Sequence, residues 1–473
     1  MNRRDFIKAS GAAAATTVFA QVARGQARPV SPNEKIRIGL IGCGGIGIVD
    51  LETFFINQEV ECPIVCDIDD ANLARGVALV EGKRGITPET VKDFRKVIDR
   101  NDLDAVLVAT PDHWHALPMI YACQAGKDVY VEKPLGQCIE EGRAMLEAAR
   151  ANKRVVQMGT QWRSGEHYGE AVNFVHSGLL GDIRMVRTWA YLDWVGGIGN
   201  PPDGDPPAGV DYDMWLGPRP ERPFNPNRFH FNFRWFWDYA GGLMTDWGVH
   251  LLNICLWGMG PKEFPVGVLQ NPDDSSPALL AVLPKSVSSQ GGKLVLDDNS
   301  ETPDTQAAIY EFPGYQLIFE HQMLGGLGPN GRPHGMYFNG ANGAVLIDDS
   351  GWEIIPERKK KDDFMQSVRA AGITGSEEGV IFPHYGGMKF PAKNDGRPAH
   401  VRNFLDCMRD RKDPVEHMAL AHHVSTVAHL GNLALRTGSV IHWDAQKEEA
   451  TGNPEATALV KAHYREPWTL PRA

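Results

Sequence analysis

The sequence predicts an α/β chain: an N-terminal doubly wound domain of parallel strands and helices, then an α+β domain with an open, mostly antiparallel sheet. Three observations carry this expectation. Residues 35–155 alternate short apolar runs with helix-period segments, the pattern of a parallel sheet covered on both faces. From about 156 onward longer period-two runs take over, such as Ile183–Leu192 and the pair Thr305–Phe312 and Tyr315–Gln322 turned at Pro313-Gly314. A length of 473 residues is ample for two domains.

The first run explains the rest of its domain. Ile36, Ile38, Leu40 and Ile41 suit a buried parallel strand and feed directly into Gly42-x-Gly44-x-x-Gly47. Each glycine has a physical job in a dinucleotide site. The first permits the tight turn, the second lets the backbone approach a pyrophosphate, and the third lets the helix pack on the strand. The pyrophosphate then sits at the positive end of that helix. Among 50 glycines the motif alone is weak. The run Pro63-Ile-Val-Cys-Asp67 strengthens it, because it ends in an acid about 20 residues downstream. A carboxylate there would hold the adenine ribose hydroxyls and meet a 2′-phosphate unfavourably. The expected cofactor is therefore NAD, with NADP as the alternative.

Helix patterns follow over Asn72–Val80 and, after a short connection from Val91, near Ile98. Ala105-Val-Leu-Val-Ala109 is a buried strand that ends at Thr110-Pro-Asp-His-Trp-His115, a loop position where such a sheet binds its ligand. Ala116–Ala125 reads as helix, stopping at Gly126. Asp128-Val-Tyr-Val-Glu132 is a strand running into Lys133-Pro134, and helix Ile139–Asn152 leads to Val155-Val-Gln-Met158.

Bulk composition excludes some roles. With 48 basic against 59 acidic residues the net charge is −11, which argues against nucleic-acid binding. No apolar run beyond the first 25 residues is long enough to span a membrane. The seven cysteines are scattered, mostly in apolar runs, and read as small core residues. There are no internal repeats.

Asn2-Arg3-Arg4-Asp5-Phe6-Ile7-Lys8 is a twin-arginine pattern, and an alanine-rich apolar segment follows from Ala9 to Ala20. Ala23, Gly25 and Ala27 offer cleavage points, so residues 1–27 read as a signal segment outside the fold. This route exports folded proteins, often with cofactor bound. The expected location is the periplasm, with a tightly held cofactor.

The glycine motif, Asp67, Thr110-Pro-Asp-His-x-His115 and Glu132-Lys133-Pro134 occur in one order and spacing. Together they resemble the Gfo/Idh/MocA oxidoreductase family, over nearly all of the chain beyond the signal segment. The resemblance implies a Rossmann domain and a cofactor contact set of Gly42, Gly44, Gly45, Ile46, Gly47, Asp67, Thr110, Pro111, His113, His115, Glu132, Lys133 and Gln161. It places Lys133 beside the nicotinamide and the reacting hydroxyl. An ammonium there can have a lowered pKa and polarise the hydroxyl. His113 and His115 keep three readings: pocket lining, polar loop residues, or metal ligands, although no third ligand stands at suitable spacing. No metal is expected.

The second domain, taken as 156–400, opens at Gln161-Trp162-Arg163 and continues with a helix over Glu170–Gly178. A loop rich in proline and glycine spans Gly196–Gly209 and reads as an active-site wall or a surface segment. Asn232–His250 is the second chemical centre. Thr245 reads as the cap of a helix to about Trp257, which would put Asp246 and His250 on one face. Such a pair suits acid–base work. The family has Asp-x-x-x-His after a double glycine, matched by Gly241-Gly242; the acid it often carries three residues after the histidine is Asn253 here.

The catalytic expectation is Lys133, Asp246 and His250; the substrate expectation is Arg163, Arg234 and Trp237. The aromatic cluster from Phe231 to Tyr239 reads equally as sugar-stacking surface and as core. Further strands are expected at Met336–Gly340 and Ala344–Ile347. Residues 271–303 and 356–398 read as insertions, 401–445 as a helical return onto the first domain, and 446–473 as an arm or disordered tail. His422, His423 and His429 lack an acid or cysteine pattern for metal and read as packing or solvent-facing.

The expected activity is hydride transfer between a nicotinamide cofactor and a sugar, glycoside or cyclitol hydroxyl. The alternatives are an NAD-dependent glycosidase that oxidises, eliminates and re-reduces, and a non-catalytic sugar-binding protein. The resemblance also implies a homo-oligomer paired through the free sheet face.

Overall fold

The computed structural model describes residues 34–193, 196–260 and 283–472. The signal segment 1–27 lies outside them. In the first domain β1 (Ile36–Ile41), α1 (Gly45–Phe54), β2 (Val60–Cys66), α2 (Asp70–Arg84), β3 (Glu89–Val91), α3 (Arg95–Ile98) and β4 (Ala105–Val108) follow in order. Then come α4 (Ala116–Gln124), β5 (Asp128–Val131), α5 (Ile139–Ala151) and β6 (Val156–Met158). The six strands are parallel in the order β3-β2-β1-β4-β5-β6. Strand order reverses between β1 and β4, so the loops leaving those two strands part and open a crevice. β4 and β5 are buried along their whole length, which is why they read as continuous apolar runs.

The second domain begins with α6 (Glu166–His176), β7 (Ile183–Tyr191), α7 (Tyr212–Leu216), α8 (Gly242–Asp246) and α9 (Gly248–Met259). Its sheet continues with β8 (Ser286–Gly292), β9 (Thr305–Phe312), β10 (Tyr315–Gln322), β11 (His334–Gly340), β12 (Gly343–Asp348) and β13 (Gly351–Pro356). After α10 (Lys361–Ala370) come β14 (Met388–Pro391), α11 (Arg397–Asp410), α12 (Met418–Thr437), β15 (Ile441–Asp444), β16 (Glu449–Ala450) and α13 (Pro454–Val460). The ten strands run β14-β13-β12-β11-β7-β10-β9-β8-β15-β16, antiparallel except for β7 beside β10. Period-two alternation sends Val186, Leu317, Phe319, Tyr310 and Phe338 into the core with α6 and α9 and leaves Met185 and Ile309 exposed. Helix α12 is buried over most of its length, against α5 and β8. No helix among the described residues is long and apolar enough to cross a membrane. All seven cysteines are buried and free.

Four expectations change. Thr245 is not a cap: its hydroxyl donates to Gly242 O inside α8, and the helix is interrupted at Trp247 before α9. The segment 356–398 is not wholly irregular. Phe364, Met365 and Val368 form a buried stripe on α10, and β14 pairs with β13; both are too short for a clear periodic signal. The segment 271–303 contains β8, whose serines hide its alternation, while residues 261–282 lie outside the described structure. Residues 446–472 are ordered: Trp468 packs edge-on to Trp114 at 5.0 Å, and the Tyr464 hydroxyl donates to Glu141.

Candidate active site

A cavity of about 840 Å³ lies over the crevice between β1 and β4, with the second domain as its far wall. One end is the glycine loop. Gly42 has φ +97°, and a Cβ there would lie 2.5 Å from Ala109 O, so only glycine makes this turn. A Cβ on Gly47 would overlap Gly42 O, which fixes α1 tightly on β1. Gly44 and Gly45 differ: a Cβ on either would meet nothing within 4 Å, and both line the cavity. Asp67 supports the loop. Its carboxylate accepts from Cys43 N at 2.7 Å and Asp69 N at 3.0 Å, and burial raises its pKa against those bonds.

The other end is charged. Lys133, just past β5, donates to Asp246 Oδ1, and Arg234 Nε lies 3.5 Å from Asp246 Oδ2. Burial opposes ionisation of Asp246, but the charges of Lys133 and Arg234 prevail and hold it at about 2. His250, one turn beyond Asp246, is pushed down to about 3 by burial and by Lys133. It is a neutral imidazole at neutral pH. Asp112 is pushed up to about 8 by burial, against the pull of Lys133. The Arg234 guanidinium stacks on Phe231 at 4.3 Å and Phe233 at 4.9 Å. Trp162 stands 5.2 Å from the His250 ring, and Trp162 and Trp247 both line the cavity.

Comparison with known proteins agrees with this fold. Residues 36–160 match the model "Oxidoreductase family, NAD-binding Rossmann fold", and residues 173–321 and 388–470 match "Oxidoreductase family, C-terminal alpha/beta domain". The chain belongs to the Gfo/Idh/MocA oxidoreductase family. Residues 1–20 of this family member match a twin-arginine translocation signal. An alpha-N-acetylgalactosaminidase of Shewanella oneidensis is 29% identical over 203 residues, 39% of this chain and 44% of that protein. A glycosyl hydrolase family 109 protein of Shewanella sp. (strain MR-4) is 28% identical over the same shares. The match thus spans less than half the length of these relatives. Among solved structures, levoglucosan dehydrogenase with NADH and levoglucosan superposes with a TM-score of 0.59 at 16% identity, covering 86% of this chain and 99% of that one. The WlbA dehydrogenase of Bordetella pertussis, with NADH and UDP-GlcNAcA, gives 0.58 at 18% identity, covering 88% and 99%.

In this Gfo/Idh/MocA chain the cavity wall includes Gly42, Gly44, Gly45, Ile46 and Asp67 at one end, and Thr110, Pro111, Glu132, Lys133 and Gln161 beyond them. Arg234, Asp246 and His250 complete it from the second domain. Other expected residues turn away. His113 Nε2 lies 2.9 Å from Trp215 O, and the His115 ring nitrogens lie 2.7 and 2.9 Å from Pro134 O and Thr110 O. Both rings are buried, and His115 ties the Thr110 loop to the segment that carries Lys133. Arg163 donates to Val415 O and Asn253 Oδ1 and faces Glu416 at 3.5 Å, off the cavity wall. Trp237 lies under the Arg436 guanidinium at 4.8 Å, also off the wall. Phe231 and Phe233 line the cavity while Trp235, Phe236 and Tyr239 are core, so the aromatic cluster divides between its two readings. His422 and His429 face Glu448 and Gly136 O.

Asp112, Trp162, Trp247, His230, Arg75 and Lys92 line the cavity without having been singled out. Asp112, Trp162 and Trp247 had a signal, since they lie inside Thr110–His115, Gln161–Arg163 and Asn232–His250; Arg75, Lys92 and His230 had none.

The residues present fit a dinucleotide. Gly44 and Gly45 leave open space beside the α1 terminus, where a pyrophosphate would rest. Thr110 Oγ1 and His250 Nδ1, on two cavity-lining residues, are buried without a hydrogen-bond partner among the described residues. β2 and β5, which lead to Asp67 and Lys133, are separated by β1 and β4, three strand spacings or about 14 Å across the sheet. That suits a ligand with one end at each.

Proposed function

We propose that this protein transfers a hydride between NAD and the carbinol carbon of a sugar, glycoside or cyclitol. The observation that carries this reading is the convergence of Lys133, Asp246 and neutral His250 at the far end of the cavity from Asp67. NAD, when bound, supplies a hydride acceptor at the nicotinamide. His250, whose buried Nδ1 has no partner among the described residues and which lines the cavity beside Lys133, takes the hydroxyl proton. Lys133 donates to the substrate oxygen and steadies the charge that grows there. Asp246 holds the ammonium in place and offsets its charge. Trp162, Trp247, Phe231 and Phe233 give the apolar C–H face of a sugar ring a surface to lie on. Asp67 favours NAD over NADP, because a 2′-phosphate would meet a carboxylate.

The signal match supports export by the twin-arginine route, and we place the protein in the periplasm. No free NAD pool serves that compartment, so the cofactor travels out bound and stays bound. The exposed outer face of the second-domain sheet, with Met185 and Ile309, is the expected subunit contact.

The test is direct. Protein exported in its native host is acid-denatured and the released nucleotide identified by mass spectrometry; NADH formation is then followed over a panel of sugars. NAD(H) with a sugar-dependent signal supports the reading. A chain that neither carries nor binds a dinucleotide refutes it and favours a sugar-binding role.

A second reading, an NAD-dependent glycosidase, is favoured by the glycosidase relatives. It shares the oxidation step, since a ketone acidifies the neighbouring C–H and permits elimination of the leaving group. Release of reducing sugar without net NADH would distinguish it.

A further inference from the structure

We propose that the second-domain segment 209–231 is a clasp that closes the adenosine end of the cavity and retains the dinucleotide between turnovers; this rests on the NAD reading above. The contacts fall on the residues that immediately follow Asp67. Ile68 O accepts from Asp211 N at 2.9 Å, and Asp69 forms an antiparallel bridge with Val210. Gly209 O accepts from Asp70 N at 3.2 Å and from Lys92 Nζ at 2.7 Å. His230 Nε2 lies 2.9 Å from Asp69 Oδ2. First-domain and second-domain loop segments are thus joined by main-chain hydrogen bonds directly beside Asp67, the carboxylate expected to take the adenine ribose.

The two ends of the segment are shaped for this contact. Gly209 has φ +86°, a conformation that favours glycine, and a Cβ there would press on the Asp70 side chain. His230 has φ +48°, a left-handed conformation uncommon for a residue with a side chain, and it is held by Asp69. Asp67, Asn72 and Arg75 from the first domain and His230 from the second line the same cavity. A dinucleotide seated on Asp67 therefore has first-domain wall on one side and clasp on the other.

His230 both pairs with Asp69 and lines the cavity, and it opens as one set with the main-chain bonds at Gly209 and Asp211, so loss of its side chain loosens the whole clasp. A retained cofactor closes its cycle only if the hydride and proton removed from one carbinol are returned to a carbonyl carbon in the same site. That carbonyl belongs to a second keto-sugar or to the oxidised substrate itself.

The experiment loads the purified full chain with NADH, chases it with excess NAD⁺, and follows loss of bound nicotinamide fluorescence. His230→Ala and Gly209→Val are expected to release NADH at least tenfold faster than wild type, with unchanged circular dichroism. Because Gly209→Val can disturb the loop, His230→Ala at its exposed position is the deciding variant. Wild-type release rates in folded His230→Ala overturn the clasp and leave the NAD reading standing. A wild-type chain that binds no NADH overturns both.

Discussion

Lys133, just past the last residue of β5, donates a hydrogen bond to Asp246 at the end of α8, so one ion pair joins the two domains across the cavity. The same carboxylate faces Arg234. Two cations share one anion at the reacting end, and each depends on Asp246 to be tolerated there.

Lys133→Met should lower the sugar-dependent rate by about 100-fold or more while leaving NADH affinity within a few-fold, since Arg234 still pairs with Asp246. Asp246→Asn should lower the rate as well and also destabilise the fold by about 2–4 kcal/mol, because two cations lose their counter-charge. Steady-state kinetics beside NADH titration and denaturant unfolding would check both. Equal stability loss in the two variants would contradict the shared-carboxylate account.

The glycines of the first loop should separate binding from folding. Gly44→Val places its side chain in open cavity, so the fold should persist and NADH binding should fall at least tenfold. Gly47→Ala overlaps Gly42 O, a backbone atom, and should cost about 2–4 kcal/mol of stability. NADH titration and thermal unfolding of both variants test this; a Gly44→Val chain that binds normally would show that the open space is not the cofactor's.

Stability should peak near pH 6.5. Burial holds His113, His250 and His321 at about 3 and His115, His400, His417 and His429 at about 4, below the ordinary 6.5. Between those values the unfolded chain binds more protons, so stability falls as pH drops through that window. Asp112 at about 8 and Glu416 at about 7 act oppositely: the folded chain holds their protons, so stability also falls as pH rises toward 8. A thermal midpoint that climbs steadily to pH 9 would contradict this balance.

Asp112 should set an alkaline limit. Below about 8 it is neutral; above, a second carboxylate charge appears beside Lys133 and Asp246. The rate should change near pH 8 in the wild type, and Asp112→Asn should abolish that limb while keeping activity at pH 7. A limb that survives the substitution belongs to another group.

Local, periodic and motif-bound features are legible in the sequence. The β1 run with its glycines, Asp67, and the strand leading to Lys133 depend on neighbours in sequence and on one strand's burial; Gly42, Gly44, Gly45, Asp67 and Lys133 line the cavity, while Gly47 packs on Gly42. Twin-residue alternation likewise announced β7, β9 and β10. Polar β8 and four-residue β14 stayed hidden, because their pairing comes from partners rather than from their own pattern. Side-chain direction was not legible either. His113 and His115 share a motif with Thr110 yet turn inward to carbonyls, and Arg163 is taken by Glu416 and Asn253. The sequence by itself determined the two-domain α/β plan and the dinucleotide loop, because strand burial and glycine sterics are local. Only the tertiary structure decided that Asp112 joins the reacting end and that Gly209 and His230 close on Asp69 and Asp70, because those relationships arise when distant segments pack against one another.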